Sequence, residues 1–74
     1  MYKWVIEWKA TLNGKKVIGH EAFQTKKQAT EYDREANTGG RIIKFGSFDE
    51  LVAYTNEKMT YSNQTMEILP IQYH

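Results

Sequence analysis

The two histidines, His20 and His74, are the first residues to consider for metal binding or proton transfer, because an imidazole ring binds divalent metals and titrates near neutral pH. They lie far apart in the chain, and neither has a second ligand at the spacing that would bring two side chains to one face of a helix or strand. The chain has no cysteine, so thiolate metal sites, disulfides and a cysteine nucleophile are excluded. We therefore expect no metal site and no cofactor.

The remaining polar residues do not form a catalytic set. Neither serine stands in the glycine context of a nucleophile elbow, and no glycine-rich phosphate loop is present. The carboxylates Glu31, Asp33 and Glu35 occupy alternate positions of a predicted helix, so their side chains point to different sides. The sequence therefore predicts a protein that is not an enzyme.

Lysine and arginine residues suggest nucleic-acid binding as an alternative function. The chain has ten Lys and Arg against nine Asp and Glu, for a net charge of +1, so any electrostatic site has to be local. A helix that runs back toward the hairpin turn would bring two arginines near two lysines, and two further lysines at its start are placed to hold a phosphate. The residues of this alternative site are Lys15, Lys16, Lys26, Lys27, Arg34 and Arg41.

Two segments that flank Asn13-Gly14 predict a β-hairpin. Alternate residues from Tyr2 to Leu12 are apolar, which is the period of a strand with one buried face. Asn-Gly tolerates the positive φ angles of a type I′ turn, and the β-rich run Lys15 to Phe23 follows it.

A two-residue turn determines which residues of the hairpin face each other. It sets Trp8 opposite Gly19, so that the indole ring can cover the glycine. The same register puts Glu21 beside Ile6 on the apolar face, unless a bulge near Gly19 shifts the pairing.

Two capping boxes predict the starts of two helices. Thr25-Lys26-Lys27-Gln28 begins a helix from Lys26 to about Thr38, and Ser47-Phe48-Asp49-Glu50 begins a second. Arg41 to Phe45 is rich in β-branched residues and predicts a strand between them. After a polar loop from Lys58 to Gln64, the segment from Met66 to Tyr73 is extended, and Pro70 indicates a sheet edge, a bulge or a strand end.

The element order ββαβαβ predicts the α+β class, in one domain that spans residues 1–74. We expect a single small four-stranded sheet with both helices packed on one face. The arrangement resembles a β-grasp at the level of element order only, and this resemblance implies no activity.

The stretch Phe23 to Ala29 resembles the strand-to-helix step of the small arm-type DNA-binding domains of phage integrases, in which Phe-x-Thr-Lys-Lys-x-Ala opens the helix. The resemblance covers the hairpin and the start of the helix, and it implies Lys3, Lys9 and Lys15 as contacts in a DNA groove. The chain departs from that pattern by its net charge and by the strand and helix after Gly40. Helix capping explains the same motif, so we assign no family on it.

The main functional prediction is a small non-catalytic module that binds a protein partner or a second copy of itself. If both helices cover the Trp face, the opposite hairpin face is open, and a mixed apolar and charged face is typical of an interaction surface. An exposed strand edge is a second way to dock a partner. The predicted protein-binding residues are Val5, Glu7, Lys9, Ile18 and His20, with His20 opposite Glu7 in an exposed cross-strand contact.

The composition and the apolar runs of the sequence indicate the class of protein and its compartment. Hydrophobic residues make up 41% and charged residues 26% of the chain, which is typical of a globular protein. No apolar run approaches the length of a membrane span, and Glu7 lies where a signal peptide would need an uninterrupted apolar run. We expect a soluble, cytoplasmic protein without a membrane partner, in the style of the compact regulators or inhibitors that phages and mobile elements encode.

Overall fold

The computed structural model describes residues 1–74 and contains five strands and two helices. In chain order these are β1 (Trp4–Leu12), β2 (Lys15–Phe23), α1 (Lys26–Ala36), β3 (Arg41–Lys44), α2 (Phe48–Met59), β4 (Met66–Ile68) and β5 (Gln72–Tyr73). The predicted α+β class and element order are confirmed. The last predicted strand is divided in two, with Pro70 between β4 and β5, because proline has no N–H to donate to a ladder.

The strands form one mixed sheet with β1 and β2 at its centre. The order is β3-β1-β2-β4, and β5 also pairs with β2. β1 is antiparallel to β2 and to β3, whereas β4 and β5 are parallel to β2. The final strands therefore lie at an edge and not at the centre, so the β-grasp resemblance stops at element order.

The hairpin has the register that its turn predicts. Asn13 and Gly14 have φ angles of 54° and 78°, as a type I′ turn requires. The pairing is continuous along both strands without a bulge, and Trp8 lies opposite Gly19. A Cβ atom on Gly19 would lie 2.1 Å from Cζ2 of Trp8, so only glycine leaves room for the indole ring.

The two helices pack on opposite faces of the sheet, so the prediction that both share one face is wrong. On one face Ala29 of α1 packs against Ile6, and on the other Leu51 of α2 packs against Val5 and Ala22. Both faces of the hairpin carry apolar side chains, and each face needs a cover to remove them from water. Neither helix is both long enough and apolar enough to cross a bilayer.

Side-chain caps begin both helices where the sequence predicts them. Thr25 and Gln28 form the complete capping box of α1. Ser47 accepts a hydrogen bond from the backbone N–H of Glu50, but the Glu50 carboxylate accepts from Gly46 at 2.9 Å and not from the cap residue. α1 ends at Ala36, and its C-cap residue Asn37 adopts the left-handed conformation with a φ of 51°.

Candidate binding site at the edge of the sheet

The hairpin face that the sequence predicted to be open is buried under α2. Val5 is 0%, His20 1% and Ile18 9% exposed. Of the five predicted protein-binding residues only Lys9 is exposed. The prediction of an open interaction face is therefore wrong, because Leu51 of α2 packs directly on Val5.

Glu7 is the buried carboxylate beneath α2, with a side chain that is 9% exposed. Its Oε2 atom accepts a hydrogen bond from Nε2 of His20 at 2.9 Å and from the Tyr54 hydroxyl at 2.8 Å. Nδ1 of His20 has no hydrogen-bond partner, so Nε2 makes the only hydrogen bond of the ring. The predicted pairing of His20 with Glu7 is confirmed, but the predicted exposure of this contact is wrong.

The contacts of Glu7 determine its ionisation. Burial by itself would raise the pKa of Glu7, but hydrogen bonds from His20 and Tyr54, together with the charges of His20 and Lys58, hold the pKa below its ordinary value. Burial, with the hydrogen bond to the Glu7 carboxylate next, raises the pKa of the Tyr54 phenol. At neutral pH Glu7 is therefore ionised and Tyr54 keeps its proton.

Glu21 is the corresponding carboxylate on the face covered by α1. It accepts hydrogen bonds from Nε1 of Trp8 at 3.1 Å, from the Tyr32 hydroxyl at 3.4 Å and from Nε2 of His74 at 2.7 Å. Burial, then the Glu21 charge, raises the pKa of Tyr32. These donors explain how Glu21 lies beside Ile6 without a bulge in the strand.

A cavity of about 420 Å³ opens beside Glu7 at the point where β3 begins. We call it the cationic cavity. No hydrophobic residue lines it, and its three cations and one carboxylate give a net charge of +2. Gly40 lies so close to β1 that a Cβ atom there would be 2.6 Å from the Glu7 carbonyl oxygen. The lining residues are Glu7, Lys9, Gly39, Gly40, Arg41 and Lys58.

Next to the cationic cavity, part of β1 has a neighbouring strand on one side only. β3 pairs with β1 over Trp4–Glu7, so the stretch Trp8–Leu12, which we call the open edge, pairs with β2 alone. An unpaired stretch of this kind presents backbone groups to which another chain can bind.

The hydrogen bonds of β2 show which backbone groups of the open edge are free. The N–H of Lys16 donates to Thr65, and the carbonyl of Ile18 accepts from Leu69, so the even-numbered residues of β2 bond away from β1. The odd-numbered residues of β2 therefore bond toward β1, and the register places them opposite the even-numbered residues of β1. Bonding directions alternate along a strand, so the backbone groups of Lys9 and Thr11 point outward, and neither residue has a backbone partner there.

The six residues of the predicted nucleic-acid site do not form one surface. Arg41 lies opposite Glu7, whereas Lys16 lies opposite Thr11, which is roughly 13 Å further along β1. Lys15 is paired with Glu67 at 3.7 Å. Lys26 and Lys27 are exposed in the first turn of α1, and Arg34 is exposed in its last turn.

The structure brings Glu7, Lys9 and Arg41 together from the two predicted sets. Sequence reasoning missed Lys58, because the polar segment that begins there indicated a loop, whereas α2 continues to Met59. The available signal was its position four residues after Tyr54, on the same helix face. The structure contains no group of three or more His, Cys, Asp or Glu side chains that could hold a metal ion.

Comparison of the chain with known protein families, with curated proteins and with solved structures finds no match.

Proposed function

We propose that the protein is a non-catalytic binding module that takes an extended segment of a partner protein by strand addition at the open edge. The observation that carries this proposal is the pair of outward-facing backbone positions at Lys9 and Thr11. A segment laid beside them continues the line of β3 and completes the sheet on that side. Main-chain hydrogen bonds then supply affinity, and alternate side chains supply specificity.

The two faces of the open edge define the side chains that the segment should carry. On the α2 face, Lys9 lines the cationic cavity together with Arg41 and Lys58, which favours an acidic side chain. On the opposite face, Trp8 and Ala10 are half-buried and Leu12 is 61% exposed, which favours apolar side chains. Because successive residues of a strand point to opposite faces, the preferred segment alternates acidic and apolar residues.

Nucleic-acid binding is the alternative function, and it has weaker support. The basic residues proposed for it are spread over the hairpin tip, both ends of α1 and the start of β3. A helix packs on each face of the hairpin at the end away from its turn, which obstructs the groove insertion that the integrase resemblance implies.

The proposal predicts that Thr11→Pro weakens the binding of a synthetic peptide of alternating glutamate and valine by roughly 5- to 150-fold. Proline removes the outward N–H of Thr11 and leaves a peptide carbonyl unpaired, a loss of about 1–3 kcal/mol. The hairpin itself keeps its hydrogen bonds, because Thr11 does not bond to β2, and proline is tolerated on a strand edge. Isothermal titration calorimetry measures the affinity.

Thr11→Val is the matched control, since valine keeps the N–H and the strand conformation while it removes the hydroxyl group. We expect it to bind the peptide as the native protein does. A second peptide, with lysine in place of glutamate, should bind poorly to all three proteins. Equal affinity of the glutamate peptide for the proline and valine variants would contradict strand addition at this edge.

A further inference from the structure

We propose that the cationic cavity is a binding site for a phosphoryl group, carried on a side chain of the segment that the open edge takes. The placement of the phosphoryl group on a side chain of the bound segment rests on the proposed function, whereas the binding of a phosphoryl group by the cavity does not. Lys9 lines the cavity on the α2 face of the sheet. Paired residues of neighbouring strands direct their side chains to the same face, so the segment residue opposite Lys9 would carry the phosphoryl group into the cavity.

The charge of the cavity favours a phosphoryl group over a carboxylate. Three cations come from three different elements, Lys9 from β1, Arg41 from β3 and Lys58 from α2, and the one carboxylate leaves a net charge of +2. A phosphate monoester carries about −1.5 to −2 at neutral pH, which balances this charge. A carboxylate would balance only half of it.

The cations of the cavity can bind such a group. The Oε2 atom of Glu7 is already occupied by His20 and Tyr54, and its Oε1 atom forms a long ion pair with Nη2 of Arg41 at 3.8 Å, which leaves Arg41 without a short hydrogen bond to Glu7. The Arg41 side chain is 71% exposed, so its planar guanidinium group can present two parallel N–H donors to phosphate oxygens.

The walls of the cavity position its third cation and leave room for the ligand. The ammonium group of Lys58 lies 5.3 Å from the centre of the Tyr54 ring, a cation–π distance that places it on the Glu7 side of α2. Gly39 and Gly40 contribute no side chains to the opposite wall. A volume of about 420 Å³ is in the range of small-molecule sites and takes a tetrahedral group with its oxygens.

The test compares three peptides that differ only at the residue placed opposite Lys9, which is phosphoserine, aspartate or serine. Affinities are measured by calorimetry at pH 7.5 for the native protein, for Arg41→Gln and Lys58→Gln, and for Lys27→Gln as a control on an exposed lysine of α1 outside the cavity. Inorganic phosphate and a single-stranded DNA oligonucleotide are titrated separately. Amide spectra of each variant establish that it is folded.

We expect the phosphoserine peptide to bind roughly tenfold tighter than the aspartate peptide and the serine peptide to bind least well. Arg41→Gln and Lys58→Gln should remove this preference, and Lys27→Gln should keep it. Inorganic phosphate should shift the amide signals of Lys9, Gly40 and Arg41 in a saturable manner.

Three results would overturn the inference. Equal affinities of the three peptides, with no saturable effect of phosphate, would exclude the phosphoryl site and leave strand addition standing. Failure of every peptide to bind, with phosphate still saturating the cavity, would instead overturn the proposed carrier and the proposed function. Tighter binding of the oligonucleotide than of any peptide, with strong dependence on salt, would identify a nucleic acid as the ligand.

Discussion

Replacement of Leu51 with alanine is expected to lower the free energy of unfolding by about 2–5 kcal/mol, because truncation leaves a cavity in a tightly packed site. Leu51 is fully buried and is the central contact of α2 with Val5 and Ala22. A protein of 74 residues has a total stability of roughly 4–11 kcal/mol, so this loss is a large fraction of the total. Urea unfolding followed by tryptophan fluorescence and circular dichroism measures it.

Leu12→Ala is the matched control for this experiment, since it makes the same chemical change at a position that is 61% exposed. Its expected effect is within about 0.5 kcal/mol. Similar small losses in both variants would mean that α2 does not cover the Val5 face, and the open hairpin face would then return as a candidate interaction surface.

Removal of the Glu7 side chain is the second change with a large expected effect. Glu7→Ala leaves the buried Nε2 of His20 and the half-buried Tyr54 hydroxyl without their shared acceptor, and each unsatisfied donor costs about 1–3 kcal/mol. Glu7→Gln keeps an acceptor oxygen of the same size and should lose less. Chemical unfolding at neutral pH orders the three proteins, and equal stability of the alanine and glutamine variants would contradict the role of the shared acceptor.

The same contacts predict a dependence of stability on pH. Folding lowers the pKa of Glu7, so its carboxylate stabilises the fold above the ordinary value of 4.5, and this contribution is lost as the pH falls through the lowered value. Stability measured from pH 6 downward should therefore decline more steeply in the native protein than in Glu7→Gln, which cannot titrate there. Parallel declines would exclude Glu7 as the titrating group.

The parts of the fold that follow from neighbouring residues could be predicted from the sequence. The Asn13-Gly14 turn determines the hairpin register, because its φ angles leave one way for the flanking strands to pair. The N-cap residues Thr25 and Ser47 place both helix starts for a similar local reason. The division of the last strand at Pro70 also follows from the missing N–H of proline.

The buried polar contacts could not be predicted in this way. Glu7 and His20 share a face of the hairpin with Val5 and Ile18, and the sequence pattern of that face resembles a solvated one. Tyr54, which is 47 residues from Glu7 in the chain, donates a hydrogen bond to the Glu7 carboxylate and so allows α2 to cover this face. A period-two pattern shows which side chains share a face of a strand. It does not show whether a distant helix supplies their hydrogen-bond partners.

The candidate site depends on distant contacts for the same reason. The antiparallel pairing of β1 with β3 brings Lys9 and Arg41 together. Lys58 joins them only because α2 packs on the face of the sheet that carries Val5 and Lys9. The open edge likewise results from the difference in length between nine-residue β1 and four-residue β3, which depends on where the chain leaves the sheet at Gly40.

Amide hydrogen exchange of β1, measured by two-dimensional NMR with and without the peptide of alternating glutamate and valine, tests the central claim most directly. In the free protein we expect the amides of Lys9 and Thr11 to exchange much faster than those of Trp8 and Ala10, which bond to β2. Peptide binding should slow Lys9 and Thr11 selectively. Protection of these two amides in the free protein, or unchanged exchange at a saturating peptide concentration, would contradict strand addition at the open edge.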